Sequence, residues 1–356
     1  MRTLVTGNAG LIGSEAAEYF YRKGHKVYGI DNNMRRQFFG PDGDTTATLK
    51  QLLASCPGIT QYDSDIRERE GIDWIIREVR PDAIIHCAAQ PSHDLAAKMP
   101  FEDFHTNAVG TLNLLEAVRQ HCPRAAFVHV STNKVYGDAP NRIPLFEQEK
   151  RWEYSQTDAT LFFTHGIAEN FTIDQSLHSL FGASKLSGDI LAQEYGRYFN
   201  MYTGVFRGGC LTGARHNGAE LHGYLSYFFK AMKEDRTYTI YGYKGKQVRD
   251  QIHSRDVVRA FDEFIQNPRM GEVYNLGGGY QNSVSILESI ERVEKIFGRP
   301  FKSKYDPTNR IGDHIVYYSD LRKLKAHYPK WDITMSLDDI FTEFAEACGM
   351  NGSYAG

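Results

Sequence analysis

The stretch TLVTGNAGLIGS, residues 3–14, decides how the rest of the chain is read. Apolar Leu4 and Val5 lead into Gly7, Gly10 and Gly13, and a helix-forming run, SEAAEYFYRKG, follows and stops at Gly24. Strand, glycine loop and helix in that order let the backbone turn tightly and approach a pyrophosphate. The free N–H groups and positive dipole end of the helix then meet its charge. A second strand, KVYGID, ends on Asp31, eighteen residues after Gly13. A carboxylate there accepts hydrogen bonds from a ribose diol and repels a 2′-phosphate, which favours NAD over NADP. Arg35 and Arg36 follow closely and keep NADP open. Turn glycines without a cofactor are the plainer alternative, and strand, loop, helix and acid together argue against it.

Further along, DAIIHCAA (82–89) and AAFVHVST (125–132) are near-continuous apolar runs, the kind buried on both faces of a sheet. Helical stretches such as NAVGTLNLLEAVRQH (107–121) lie between them. This alternation predicts an α/β fold with a doubly wound parallel sheet of the Rossmann type. In DSDIRERE (63–70), Asp65 either meets an adenine edge or caps a helix. After residue 137 the pattern loosens. Residues 138–178 are long, aromatic-rich and weakly periodic, and loops of that length usually serve as lids or binding loops. From about 206 onward, Gly-rich loops, helices and short strands suit a smaller second domain.

The 356 residues carry a net charge of −3 with a pI near 6.5. That balance gives no reason to expect nucleic acid or an anionic membrane as partner. Five scattered cysteines without a CxxC pair predict a reduced cytoplasmic protein with neither a disulfide framework nor a metal site. The N-terminus has no signal-peptide core, and no run approaches the ~18 apolar residues of a membrane span.

These motifs carry a resemblance. GxxGxxG at 7–13, DNN at 31–33, DIR at 65–67, HCAAQ at 86–90 and NAVGTLNLLEA at 107–117 are similar to the extended short-chain dehydrogenase/reductase superfamily. So are STNKVYGD at 131–138, the helix SLFGASKLSGDILAQEY at 179–195, and KQVRDQIHSRDVV at 246–258. STNKVYGD, FRGG at 206–209 and GKQVRD narrow the likeness to CDP-tyvelose (CDP-paratose) 2-epimerases. The resemblance implies that NAD takes hydride from C2 of a nucleotide-diphosphate sugar and returns it to the other face. It implies a dinucleotide domain of residues 1–205 and 246–275, and a nucleotide-sugar domain of 206–245 and 276–356. It assigns cofactor contacts to Asn8, Ala9, Leu11 and Ile12 beside the glycines. Further cofactor contacts are Asn32, Asn33, Arg36, Ile66, Ala88, Ala89, Gln90, Asn107, Ser131, Lys185 and Arg207. It assigns substrate contacts to Gln90, Thr132, Asn133, Gly209, Cys210, Arg249 and Arg310. The two arginines suit a diphosphate through their fork geometry, with a surface ion pair as the alternative. Dehydratases of this superfamily carry Asp-Glu after the threonine. Here Asn133 and Lys134 follow Thr132, which disfavours 4,6-dehydration.

The resemblance also exposes a gap. Family members use a Tyr four residues before the Lys, on one helix face, to take the hydroxyl proton. This chain keeps Lys185 and Thr132 but has Phe181 where the phenol belongs. A positioned base is worth about 10²–10⁴ in rate. His93 in CAAQPSHD is the best substitute, since imidazole transfers protons near neutral pH; a solvated loop histidine is the alternative. His178, Tyr136, Tyr154 and Asp174 are further candidates, and Cys210 reads as a buried inert thiol. Two other functions stay open: a UDP-sugar 4-epimerase or decarboxylase, and a non-catalytic NAD and nucleotide-sugar binder. Homodimerisation through GTLNLLEAVRQ and the Lys185 helix is implied by resemblance.

Overall fold

The computed structural model describes residues 1–157, 161–215, 223–310 and 312–350. Seven segments form the strands β1 (Arg2–Thr6), β2 (Lys26–Ile30), β3 (Thr60–Tyr62), β4 (Ala83–His86), β5 (Ala126–Thr132), β6 (Thr203–Gly208) and β7 (Glu272–Leu276), apolar in the main except the edge strand β3. They form one sheet in the order β3-β2-β1-β4-β5-β6-β7, every pair parallel. All of β4 and β6 is buried, as a sheet covered on both faces requires. On one face, helix α1 (Leu11–Arg22) and the helix Ser254–Gln266 pack Phe20, Val257 and Phe261 onto the sheet. On the other face, Ile72, Leu114, Val118 and Ala192 fill the core. Strand order reverses between β1 and β4, and such a switch point opens a crevice at the carboxyl ends of the strands.

A second unit lies beyond that edge. The strands Cys210–Thr212, Val248–His253, Ser283–Ser285 and Val316–Tyr317 form a small sheet. The helices Tyr224–Lys233, Ile286–Phe297 and Leu337–Ala347 enclose Phe228, Phe229, Val293 and Phe341. Two expected boundaries change. Val248–His253, assigned from sequence to the dinucleotide domain, pairs with the small sheet, and the chain returns to the large sheet only at Ser254. Residues 206–208, assigned to the second domain, complete β6.

The described residues of 138–178 include a hairpin packed on the second unit, and Ser176, Leu177 and His178 line the cleft. A short hairpin, Leu145–Glu147 against Trp152–Tyr154, packs Tyr154 with Tyr136, Ile167, Tyr317 and Tyr318. The Tyr154 hydroxyl donates to the Val316 carbonyl at 2.9 Å. The aromatic residues Trp152, Tyr154 and Phe171 of this segment pack into a satellite core. Residues 158–160 of this segment lie outside the described residues. Among the described residues no helix is long and apolar enough to cross a membrane, and no cluster of His, Cys, Asp and Glu could hold a metal ion.

Candidate active site

A cleft of about 1810 Å³ runs from the glycine loop to the second unit. Its floor is the turn between β1 and α1. Gly7 has φ 70°, and its N–H donates to the Ile30 carbonyl at 2.7 Å. A Cβ on Gly13 would sit 2.0 Å from the Gly7 carbonyl oxygen, so helix and loop touch through bare backbone. Asp31 accepts the Ala9 N–H at 3.0 Å and the Asn33 N–H at 2.8 Å. Burial raises its pKa while those N–H groups pull it down. The cradle and the carboxylate together fit an adenosine ribose and pyrophosphate. Gly10, Leu11, Ile12, Asn32, Asp65, Ile66, Ala88 and Ala89 also line this end. Asp65 is held by Asn32 at 3.0 Å and by Arg67 at 2.7 Å.

Six residues expected to contact ligand lie elsewhere. Arg36 is exposed and pairs with Asp44 at 3.5 Å; Arg35 lines the cleft instead. Asn33, at φ 53°, spends its amide on Asp44, Thr45 and Thr46 and so fixes the following loop. Asn8 bonds Gln61 at 2.7 Å. Gln90 is buried, bonded to Asp103 at 2.7 Å, and Asn107 accepts the Gln90 N–H at 2.9 Å while donating to Ser184 at 3.0 Å. These two clamp the loop after β4 to the helix α2 (Ser179–Tyr198). Arg207 forms a buried two-point ion pair with Asp189 at 2.9 and 3.0 Å. In each case a buried or paired polar group satisfies the protein rather than the cleft.

A second corner of the cleft lies where β5 meets α2. Ser131, Thr132 and Asn133 line the cleft, as do Phe181 and Lys185. The Ser131 hydroxyl donates to Asp189 at 2.6 Å. Lys185 Nζ donates to the Val130 carbonyl at 2.8 Å, and burial brings its pKa down to about 8. Thr132 Oγ1 accepts the Lys134 N–H at 3.2 Å. The His93 ring lies 4.7 Å from the Phe181 ring, and its Nδ1 is 3.0 Å from Ser179 Oγ. Burial, then the charges of Lys134, Arg310 and Arg249, press the His93 pKa down to about 3, against the pull of Asp313. The free protein therefore holds a neutral imidazole where the sequence suggested one titrating near neutrality. The other substitutes are committed: Tyr136 donates to Asn275, Tyr154 is buried in the satellite core, and Asp174 does not line the cleft. His178 lines the cleft, with Nδ1 2.9 Å from the Ser176 carbonyl.

Opposite this corner stands a charged cluster that sequence reasoning missed in part. Asp313 pairs with Arg249 at 2.6 Å and with Lys134 at 2.9 Å, and Arg310 pairs with Asp94 at 3.0 Å. Burial works to raise the Asp313 pKa, yet Arg249 and Lys134 hold it well below the carboxylate range. Three cations facing two carboxylates leave an unbalanced positive charge for an anionic group. Gly209 lines the same region, and so does Cys210, whose thiol burial pushes up to about 11. STNKVYGD contains Lys134 and the resemblance pointed to Arg249 and Arg310, but nothing in the sequence announced that Asp313 would bridge Lys134 and Arg249.

Comparison with known proteins agrees with this geometry. The family described as GDP-mannose 4,6 dehydratase matches residues 4–344. CDP-paratose 2-epimerase from Salmonella typhi is 30% identical over 334 residues, covering 91% of this chain and 92% of that protein. dTDP-glucose 4,6-dehydratase 1 from Escherichia coli K12 is 29% identical over 289 residues, 78% of this chain and 72% of that one. Among solved structures, a tyrosine-to-phenylalanine variant of UDP-glucuronic acid 4-epimerase from Bacillus cereus, with a fluorinated UDP-sugar and NAD, is 25% identical. It has a TM-score of 0.78 and covers 98% of this chain and 99% of that one.

Proposed function

This chain belongs to the GDP-mannose 4,6 dehydratase family, and we propose that within it the protein is an NAD-dependent nucleotide-sugar epimerase acting at C2 of a CDP-hexose. When bound, NAD supplies a two-electron acceptor that can return its hydride to either face of a sugar carbon. The glycine cradle and Asp31 hold the dinucleotide. Arg249, Arg310 and Lys134 hold the diphosphate of the sugar nucleotide. Lys185 orients the nicotinamide ribose, Thr132 bonds the reacting hydroxyl, and His93 takes its proton in place of the missing phenol.

One observation carries the choice of epimerase over dehydratase. The position after Thr132 presents Asn133 and a Lys134 tied to Asp313, so no free carboxylate there can move a carbon-bound proton. Moving only a hydride and a hydroxyl proton needs none. The 30% identity to a CDP-paratose 2-epimerase supports C2 and cytidine, and the exposed apolar residues Phe101, Phe104, Leu112 and Ile190 support a homodimer. The test is incubation of the purified protein with CDP-paratose, CDP-glucose and UDP-glucose, read by NMR. The expected product is the C2 epimer of a CDP-sugar. Tight binding with every sugar unchanged overturns the reading in favour of a non-catalytic binder, and 4-epimerisation of UDP-glucose moves it to the other chemistry.

A further inference from the structure

We propose that Ser179 is a second hydroxyl, beside Thr132, that touches the reacting sugar and that it relays the sugar's proton to His93. The inference rests on the epimerase reading and adds a residue to it. Ser179 opens α2 two residues before Phe181 and lines the cleft. Its backbone is left-handed, φ 62°, a conformation an L-residue with a Cβ rarely adopts. Strain of that kind persists where the surroundings hold a side chain in place. Two contacts do so here. The Gly182 N–H donates to Ser179 Oγ at 3.3 Å, and His93 Nδ1 lies 3.0 Å from the same oxygen.

The direction of the second bond follows from the first. With a lone pair of Oγ facing the Gly182 N–H, the hydroxyl proton is free to point at Nδ1, which leaves the ring proton on Nε2. A hydroxyl backed by an imidazole is the arrangement that activates a side-chain oxygen. The relay then balances. The sugar O–H gives its proton to Ser179 Oγ as the Ser179 proton passes to Nδ1. Bound NAD would supply the acceptor for the C–H electron pair, so that loss of the hydroxyl proton through Ser179 and His93 leaves a ketone at that carbon. Reversal on the other face restores alcohol, hydroxyl and neutral imidazole.

The charges around His93 tie this step to the substrate. The groups facing it are Lys134, Arg249 and Arg310 with Asp313, and its neighbour Asp94 holds Arg310. In the free cleft these cations oppose an imidazolium. A diphosphate held by the same three side chains adds two negative charges, so protonation of His93 becomes easier once the substrate handle is seated.

The experiment uses Ser179→Gly and Ser179→Ala in the full chain, with Ser179→Thr as the conservative variant. Glycine relieves the left-handed strain while removing the hydroxymethyl group, and alanine removes the hydroxyl alone; a merely structural role, as acceptor of the Gly182 N–H, predicts lower stability with kcat unchanged in the folded protein. The relay predicts a kcat at least tenfold lower for both hydroxyl-free variants, KM within about twofold, and activity kept by threonine. A second readout needs no turnover: the ¹⁵N signal of His93 Nδ1 should report a hydrogen-bonded acceptor that moves on Ser179→Gly. Unchanged kcat or an unmoved ¹⁵N signal overturns the relay alone. Failure of the unaltered protein to epimerise any sugar nucleotide overturns the reading beneath it and the relay with it.

Discussion

Holding His93 neutral should make the protein acid-sensitive in a way that one substitution removes. Burial first, then Lys134, Arg310 and Arg249, lower its pKa from the ordinary 6.5 to about 3. Below pH 6.5 the unfolded chain binds a proton at this position and the native chain does not, so stability falls with falling pH. The contribution is complete above about pH 6.5 and lost progressively toward pH 3. At pH 5 the interval is about 1.5 pH units at 1.36 kcal/mol each, a loss of about 2 kcal/mol. His93→Gln abolishes that titration. Any pH-independent effect of the substitution, including the lost bond to Ser179, cancels when each protein is compared with itself at two pH values. His86, His129 and His314 are also buried with lowered pKa values, but both proteins contain them. The assay is urea unfolding at pH 7 and pH 5. The unaltered protein should lose about 2 kcal/mol more across that interval than His93→Gln. Equal losses would mean that His93 titrates as an ordinary solvated imidazole, and would refute the placement of three cations around a half-buried ring.

Two further outcomes follow from the same geometry. Gly13→Ala would drive a Cβ to within 2.0 Å of the Gly7 carbonyl oxygen, so the loop must move; dinucleotide affinity measured by calorimetry should fall at least tenfold. Phe181→Tyr should change turnover by less than about threefold in the unaltered protein but restore at least tenfold in His93→Gln, because the two groups then serve one step and their effects do not add; a tenfold gain in both backgrounds would mean that His93 carries no proton.

Much of the fold was legible because burial on both faces leaves a plain trace. The apolar runs at Leu4, Ile84 and Val128 became β1, β4 and β5, and the glycines and Asp31 landed where a dinucleotide site needs them. Chain stretches that reuse strand-like patterns were harder. Val248–His253 is as buried as any strand of the large sheet although only Val248 and Ile252 in it are apolar, and its pairing partners assign it to the small sheet. In the site, the family resemblance assigned ligand contact to Gln90, Asn107 and Arg207, which instead satisfy one another and Asp189. Polar residues near a cleft have two possible audiences, and periodicity cannot tell which one a side chain faces. The Ser179–His93 pair joins positions 86 residues apart, and only folding brings them within a hydrogen bond.

The claim that matters most is that a transient oxidation runs here without a phenol. A CDP-sugar substrate carrying deuterium at C2 tests it directly, with the product read by NMR and mass spectrometry in ordinary water. The account predicts a C2 epimer that retains its deuterium, because the hydride leaves to and returns from the same bound cofactor. An epimer that has lost deuterium to solvent would mean that a proton is removed from C2 itself. That result would contradict both the hydride route and the roles given to Lys185, Ser179 and His93.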